Sequence, residues 1–78
     1  MSVMQKDKNY FSAEKYEELK KELEELSTTR RREVAERLDS AKSLGDLSEN
    51  AEYHAAREDQ AELESRIQQL ELMLKDSE

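Results

Sequence analysis

The chain contains no cysteine and no proline, and it carries a single glycine, Gly45, and a single histidine, His54. Without cysteine, disulfides and thiolate-bound zinc are excluded. One histidine rules out a multi-histidine metal centre. The scarcity of proline and glycine removes the usual interruptions of regular structure. Long apolar runs are missing as well. No stretch approaches the roughly 20 residues of a membrane-spanning helix, and no apolar segment follows the N-terminal lysines as a signal peptide requires. The expectation is a cytoplasmic protein with no membrane partner.

What is present is charge. Of the 78 residues, 42% are charged and 35% hydrophobic, enough for one small domain but not for a large enclosed core. Disorder at this charge density usually comes with proline, glycine and serine. Here the stock is Glu, Lys, Arg, Leu and Ala, strong helix formers, so long helices are expected. The net charge of −7 is uneven: residues 1–44 hold ten basic and ten acidic side chains, residues 45–78 three basic and ten acidic. A chain so acidic does not hold nucleic acid by general phosphate attraction. Any contact with RNA must be local or arranged by a larger partner.

Tyr16, Leu19, Leu23 and Leu26 recur at spacings of three and four, the seam of a coiled coil. The pattern continues through Arg30, Val34, Leu38 and Ala41, but the run of fours from Leu26 to Leu38 is a stutter that unwinds the supercoil locally. Arg30 falls in this seam, its stem packing and its guanidinium reaching water. A second seam, Tyr53, Ala56, Gln60, Leu63, Ile67, Leu70 and Leu74, is uninterrupted, with Gln60 placed to set register. Folding the chain back at Gly45 matches the seams. Leu26 comes opposite Ile67, Leu23 opposite Leu70 and Leu19 opposite Leu74, each pair of numbers adding to 93; Ala41 with Tyr53 and Leu38 with Ala56 add to 94. The same register brings Arg31 near Glu62.

The fold expected is therefore all-α: a long antiparallel coiled-coil hairpin over residues 11–78. Helix one runs from about 12 to 44, capped by Ser12 and ended by Gly45 in a left-handed conformation. The tip is 45–48, helix two covers about 49–75, and a flexible segment precedes the hairpin at 1–10. The exposed outer faces leave room for weak self-association.

The tip reads Gly45-Asp46-Leu47-Ser48-Glu49-Asn50. Asp46 and Glu49, three apart, fit a capping box, with Asp46 as N-cap of helix two and Glu49 at N3. They also fit a pair of carboxylates held out for a ligand, and the two readings are compatible. A self-contained calcium loop is excluded, because Ala51 and Arg57 stand where it needs glycine and glutamate. Two carboxylates alone hold magnesium weakly, yet they can complete a site whose other ligands come from elsewhere. His54, next to the Tyr53 seam, reads as a flank or solvent position. Arg30, Arg31 and Arg32 point in different directions around a helix. Lys42 and Arg57 lie within a few turns of the tip, where a small basic spot could meet a phosphate backbone.

The stretch from Gly45 through Tyr53, followed by Ala56 and Glu58-Asp59-Gln60, closely resembles the tip signature of the bacterial GreA/GreB transcript cleavage factors. Phe11-Ser12-Ala13-Glu14-Lys15-Tyr16-Glu17-Glu18-Leu19 is similar to the family's first-helix start, and Arg31 with Glu33-Val34 to a mid-helix pattern. The resemblance runs from about residue 11 to 75. It implies a hairpin that enters the secondary channel of a backtracked bacterial RNA polymerase, and stimulation of the polymerase's own RNA cleavage rather than an independent enzyme. It implies that Asp46 and Glu49 help to hold a second Mg2+ and orient water, shared with the polymerase and not expected on the isolated chain. It implies that Lys42 and Arg57 contact the 3′ end of the extruded RNA, and that Gly45, Leu47, Ser48, Asn50 and Tyr53 support the tip. The small basic patch resembles a GreA-like member. Related coiled-coil factors occlude the channel without promoting cleavage, so an occluding regulator and a plain coiled-coil module stay open beside the first reading. Lys15 and Ser65 stand where many members have glycine, changes a helix tolerates. The family continues into an FKBP-like domain that is absent here, so weak binding to polymerase is expected of this chain alone.

Overall fold

The computed structural model describes residues 11–75; the expected flexible segment 1–10 lies outside the described residues, as do 76–78. Every regular element among the described residues is helical: α1 (Ala13–Glu25), a π-helical turn (Leu26–Arg30), α2 (Arg31–Lys42), a 3-10 turn (Leu47–Glu49) and α3 (Ala51–Lys75). The first three form one continuous arm, and α3 returns along it. The result is the all-α antiparallel hairpin expected from the seams, 56 Å in its longest dimension.

Ser12 starts the first arm as expected, its Oγ accepting the Lys15 N–H at 3.1 Å. This satisfies one of the donors that a helix start leaves open. The core lies between the arms. Val34, Leu38, Ala56, Leu63 and Ile67 form one buried cluster, with Leu23, Leu26 and Tyr53 packed against it. Leu19, Ala41 and Leu70 are buried as well. The layer is one side chain deep, so each large member matters: truncating Ile67 or Leu70 to alanine costs about 2–5 kcal/mol.

The stutter has a definite structural form. Between Leu26 and Leu38 the seam holds one residue more than a heptad repeat allows, and the π turn, whose Arg31 N–H donates five residues back to Leu26 O, absorbs it. Hydroxyls close carbonyls that the wider turn loosens: Ser27 Oγ donates to Leu23 O at 2.7 Å and Thr28 Oγ1 to Glu24 O at 2.7 Å. The same extra residue accounts for the step from 93 to 94 in the pairing of the seams. Arg30 lines the groove between the arms together with Leu26 and Leu63. Arg30 is exposed and pairs with Glu33 at 2.7 Å, while Ser27 and Thr29 are half-buried beside it.

Among the described residues three ion pairs bridge the arms: Arg66 with Glu22, Arg31 with Glu64, and Arg37 with Asp59. Arg31 thus meets Glu64, not the expected Glu62. It lies on the tip side of the π turn, where partners shift toward higher numbers.

Both helix ends at the tip fall two residues inside the expected bounds. α2 stops at Lys42, not Leu44, because the Ser43 and Leu44 N–H groups close back onto the Ser40 and Ala41 carbonyls at 3.2 and 3.0 Å. Gly45 then takes a φ of +124°, a conformation that side-chain-bearing residues rarely adopt. α3 starts at Ala51 rather than at about 49.

Candidate functional site: the acidic tip

The tip is built from short-range hydrogen bonds. Asp46 precedes the 3-10 turn, and its Oδ1 accepts both the Ser48 N–H at 3.0 Å and the Ser48 hydroxyl at 2.9 Å. The Glu49 N–H closes the turn onto Asp46 O at 3.3 Å. The two donors favour the charged carboxylate and hold Asp46 below the usual aspartate range, the Ser48 hydroxyl contributing most.

Asp46 does cap, but it caps the 3-10 turn and not helix two. The N-cap of α3 is Asn50, whose Oδ1 accepts the Tyr53 N–H at 3.0 Å. Its Nδ2 donates to Ala41 O at 2.6 Å, in the last turn of α2. Asn50 is the buried polar residue among the described residues, 9% exposed. The position needs one group that accepts from α3 and donates to α2 together, and an amide does both where a carboxylate only accepts. Glu49 consequently does not occupy N3 of α3. It is exposed, and among the described residues no group donates a hydrogen bond to its carboxylate.

His54 was read from the sequence as a flank. It is exposed, but its Nε2 lies 3.3 Å from Ser48 O and its ring meets that of Tyr53 edge-on, centroids 5.9 Å apart. A contact six residues back depends on the 3-10 turn between them, so no helical periodicity announces it.

The other expected site residues are placed as follows. Lys42 is in the last turn of α2 and exposed. Arg57, about 9 Å along α3 from its start, is exposed with Nη1 3.5 Å from the Tyr53 hydroxyl. Among the described residues no carboxylate lies within ion-pairing distance of either cation. Leu47 is 37% exposed and Leu44 67%, so apolar surface borders the carboxylates. The fold brings Asp46, Leu47, Ser48 and Glu49 onto a single turn and sets Lys42 and Arg57 on the arms behind it.

Among the described residues no three acidic or histidine side chains gather as a metal site. Asp46 and Glu49 offer hard oxygen donors, with Asp46 Oδ2 and both Glu49 oxygens uncommitted. That set suits Mg2+ when further ligands and waters complete the octahedron. No described helix is long and apolar enough to cross a membrane.

Residues 9–78 match the family described as transcription elongation factor, N-terminal, of the GreA/GreB group. The chain is 52% identical over 75 residues to the transcription elongation factor GreA of Shouchella clausii, covering 96% of this chain and 48% of that one. It is 64% identical over 55 residues to the GreA of Nautilia profundicola, covering 70% and 34%. With the GreA of Chloroherpeton thalassium the identity is 54% over 68 residues, 87% and 43% of the two chains. The chain thus spans about half the length, or less, of these relatives.

Proposed function

The chain belongs to the GreA/GreB transcription elongation factor family as its N-terminal part, and we propose that it is the arm that reaches the active site of backtracked RNA polymerase through the secondary channel. There it stimulates endonucleolytic cleavage of the nascent RNA by the polymerase itself. The observation that carries this reading is the tip: two carboxylates on one exposed turn, at the end of a narrow rod, with one held ionised by Ser48.

Each residue has a part. Ser48 donates twice to Oδ1 of Asp46, which orients the carboxylate and leaves the lone pairs of Oδ2 for a ligand. Among the described residues Glu49's carboxylate has no partner, so it can turn toward a ligand or accept a proton from water. The two carboxylates would hold part of an Mg2+ whose remaining ligands the polymerase supplies. When bound, that ion lowers the pKa of a coordinated water and offsets charge on the phosphodiester. Lys42 and Arg57 flank the tip with positive charge that no carboxylate among the described residues pairs, suited to phosphate at the RNA 3′ end. The arm as a whole contributes ligands to another macromolecule's catalysis and is not itself a nuclease.

The test uses backtracked elongation complexes incubated with excess chain. Asp46→Asn is informative because asparagine still caps a turn while losing the charge, and Glu49→Gln does the same for a side chain without internal bonds. Release of short 3′ RNA fragments that both substitutions abolish supports the proposal. Inhibition of synthesis with no new fragments would instead identify an occluding regulator.

A further inference from the structure

His54 is a titratable side chain beside the tip that the proposed function leaves unused, and its place is specific. It sits in the first turn of α3, with its backbone N–H bonded to Asn50 O at 3.0 Å, so its Cα is fixed by the helix. Tyr53 meets its ring edge-on and restricts rotation. Nε2 then reaches back to the carbonyl of Ser48, the residue whose N–H and hydroxyl both bind Asp46. A carbonyl can only accept, so a hydrogen bond at this contact requires the proton on Nε2.

We propose that His54 is a positioning residue for the acidic tip: its Nε2–H pins the Ser48 peptide, and through Ser48 it fixes the direction of the Asp46 carboxylate. Besides the two Ser48 bonds to Asp46, the turn has two backbone bonds, Glu49 N–H to Asp46 O at 3.3 Å and Asn50 N–H to Leu47 O at 3.4 Å. Both lie near the outer limit for a hydrogen bond. A clamp from outside the turn is what such a short element lacks. His54 touches neither carboxylate, so its effect on chemistry is indirect and rests on the reading of Asp46 given above.

The experiment has two arms. On the isolated chain, amide exchange of Ser48 and the imidazole tautomer are read by NMR for wild type, His54→Ala and His54→Gln. The glutamine amide nitrogen falls close to the place of Nε2 and can donate the same bond. His54→Ala is expected to speed Ser48 exchange about fivefold, the equivalent of one net hydrogen bond. His54→Gln is expected to restore it, and wild type to show the Nε2–H tautomer. In the cleavage assay, His54→Ala is expected to lower the rate at saturating chain while leaving the half-saturating concentration unchanged, with rescue by His54→Gln. Unchanged Ser48 exchange in His54→Ala, or an Nδ1–H tautomer in wild type, overturns the clamp. Faster exchange with an undiminished saturated rate overturns its role in positioning. A wild-type chain that yields no fragments would refute the cleavage reading instead, and the exchange comparison would still decide the clamp.

Discussion

Replacing Asn50 with alanine removes two interactions of different kinds. The first is the N-cap of α3, Oδ1 to the Tyr53 N–H, worth about 1 kcal/mol. The second is the bridge from Nδ2 to Ala41 O at 2.6 Å, a buried bond worth about 1 kcal/mol net. No further penalty is due for an orphaned carbonyl, because Ala41 O also accepts from the Leu44 N–H at 3.0 Å. The loss should therefore be about 2 kcal/mol, or roughly 8–16 °C in Tm for a domain of this size. Asn50→Ser separates the parts: serine caps as well as asparagine but cannot reach Ala41, so it should lose about half as much. The assay is urea and thermal unfolding followed by helical circular dichroism at fixed concentration. Alanine within about 0.5 kcal/mol of wild type would refute the double role, since that is the scatter of ordinary surface changes. Serine as damaging as alanine would show that only the bridge matters.

Other outcomes follow from the same structure. Deleting Thr28 should let the π turn become an ordinary α turn and leave unfolding cooperative, with Val34 and Leu38 still in the seam; a circular dichroism melt of the deletion checks this. Gly45→Ala should cost about 1–3 kcal/mol from backbone strain alone, because a Cβ there meets nothing within 4 Å; a urea titration reads it. Glu22 is held below its ordinary carboxylate value, chiefly by its hydrogen bond to Arg66. A lowered folded-state value means that the pair's contribution is present above about pH 4.5 and lost as pH falls through the lower value. With both side chains more than a third exposed, it should amount to a few tenths of a kcal/mol. Urea midpoints against pH should show a shallower acid loss in Glu22→Gln.

The hairpin was legible because its two seams carry complementary periodicities, and folding at Gly45 lays one against the other. The stutter announced one surplus residue, but periodicity could not say whether it would unwind the supercoil gently or collect in a π turn. The hydroxyls of Ser27 and Thr28 favour the second. At the tip, Asp46-x-x-Glu49 satisfied the capping pattern so well that it concealed Asn50, itself a good N-cap. Local grammar treats one helix start at a time, whereas Asn50 is selected by two helix ends at once. The His54 contact was beyond reach, because it depends on the 3-10 turn that separates it from Ser48.

The π turn also bears on where the tip faces. One surplus residue in a regular α-helix would turn everything beyond it by about 100° around the axis. Here the surplus is spent locally, and Val34, Leu38 and Ala41 stay buried on the same side as Leu19. The azimuth of the carboxylates is thereby uncoupled from the count of residues in the arm. Hairpins one residue longer or shorter can point the same acidic turn in the same direction, provided that the difference is confined to this one widened turn.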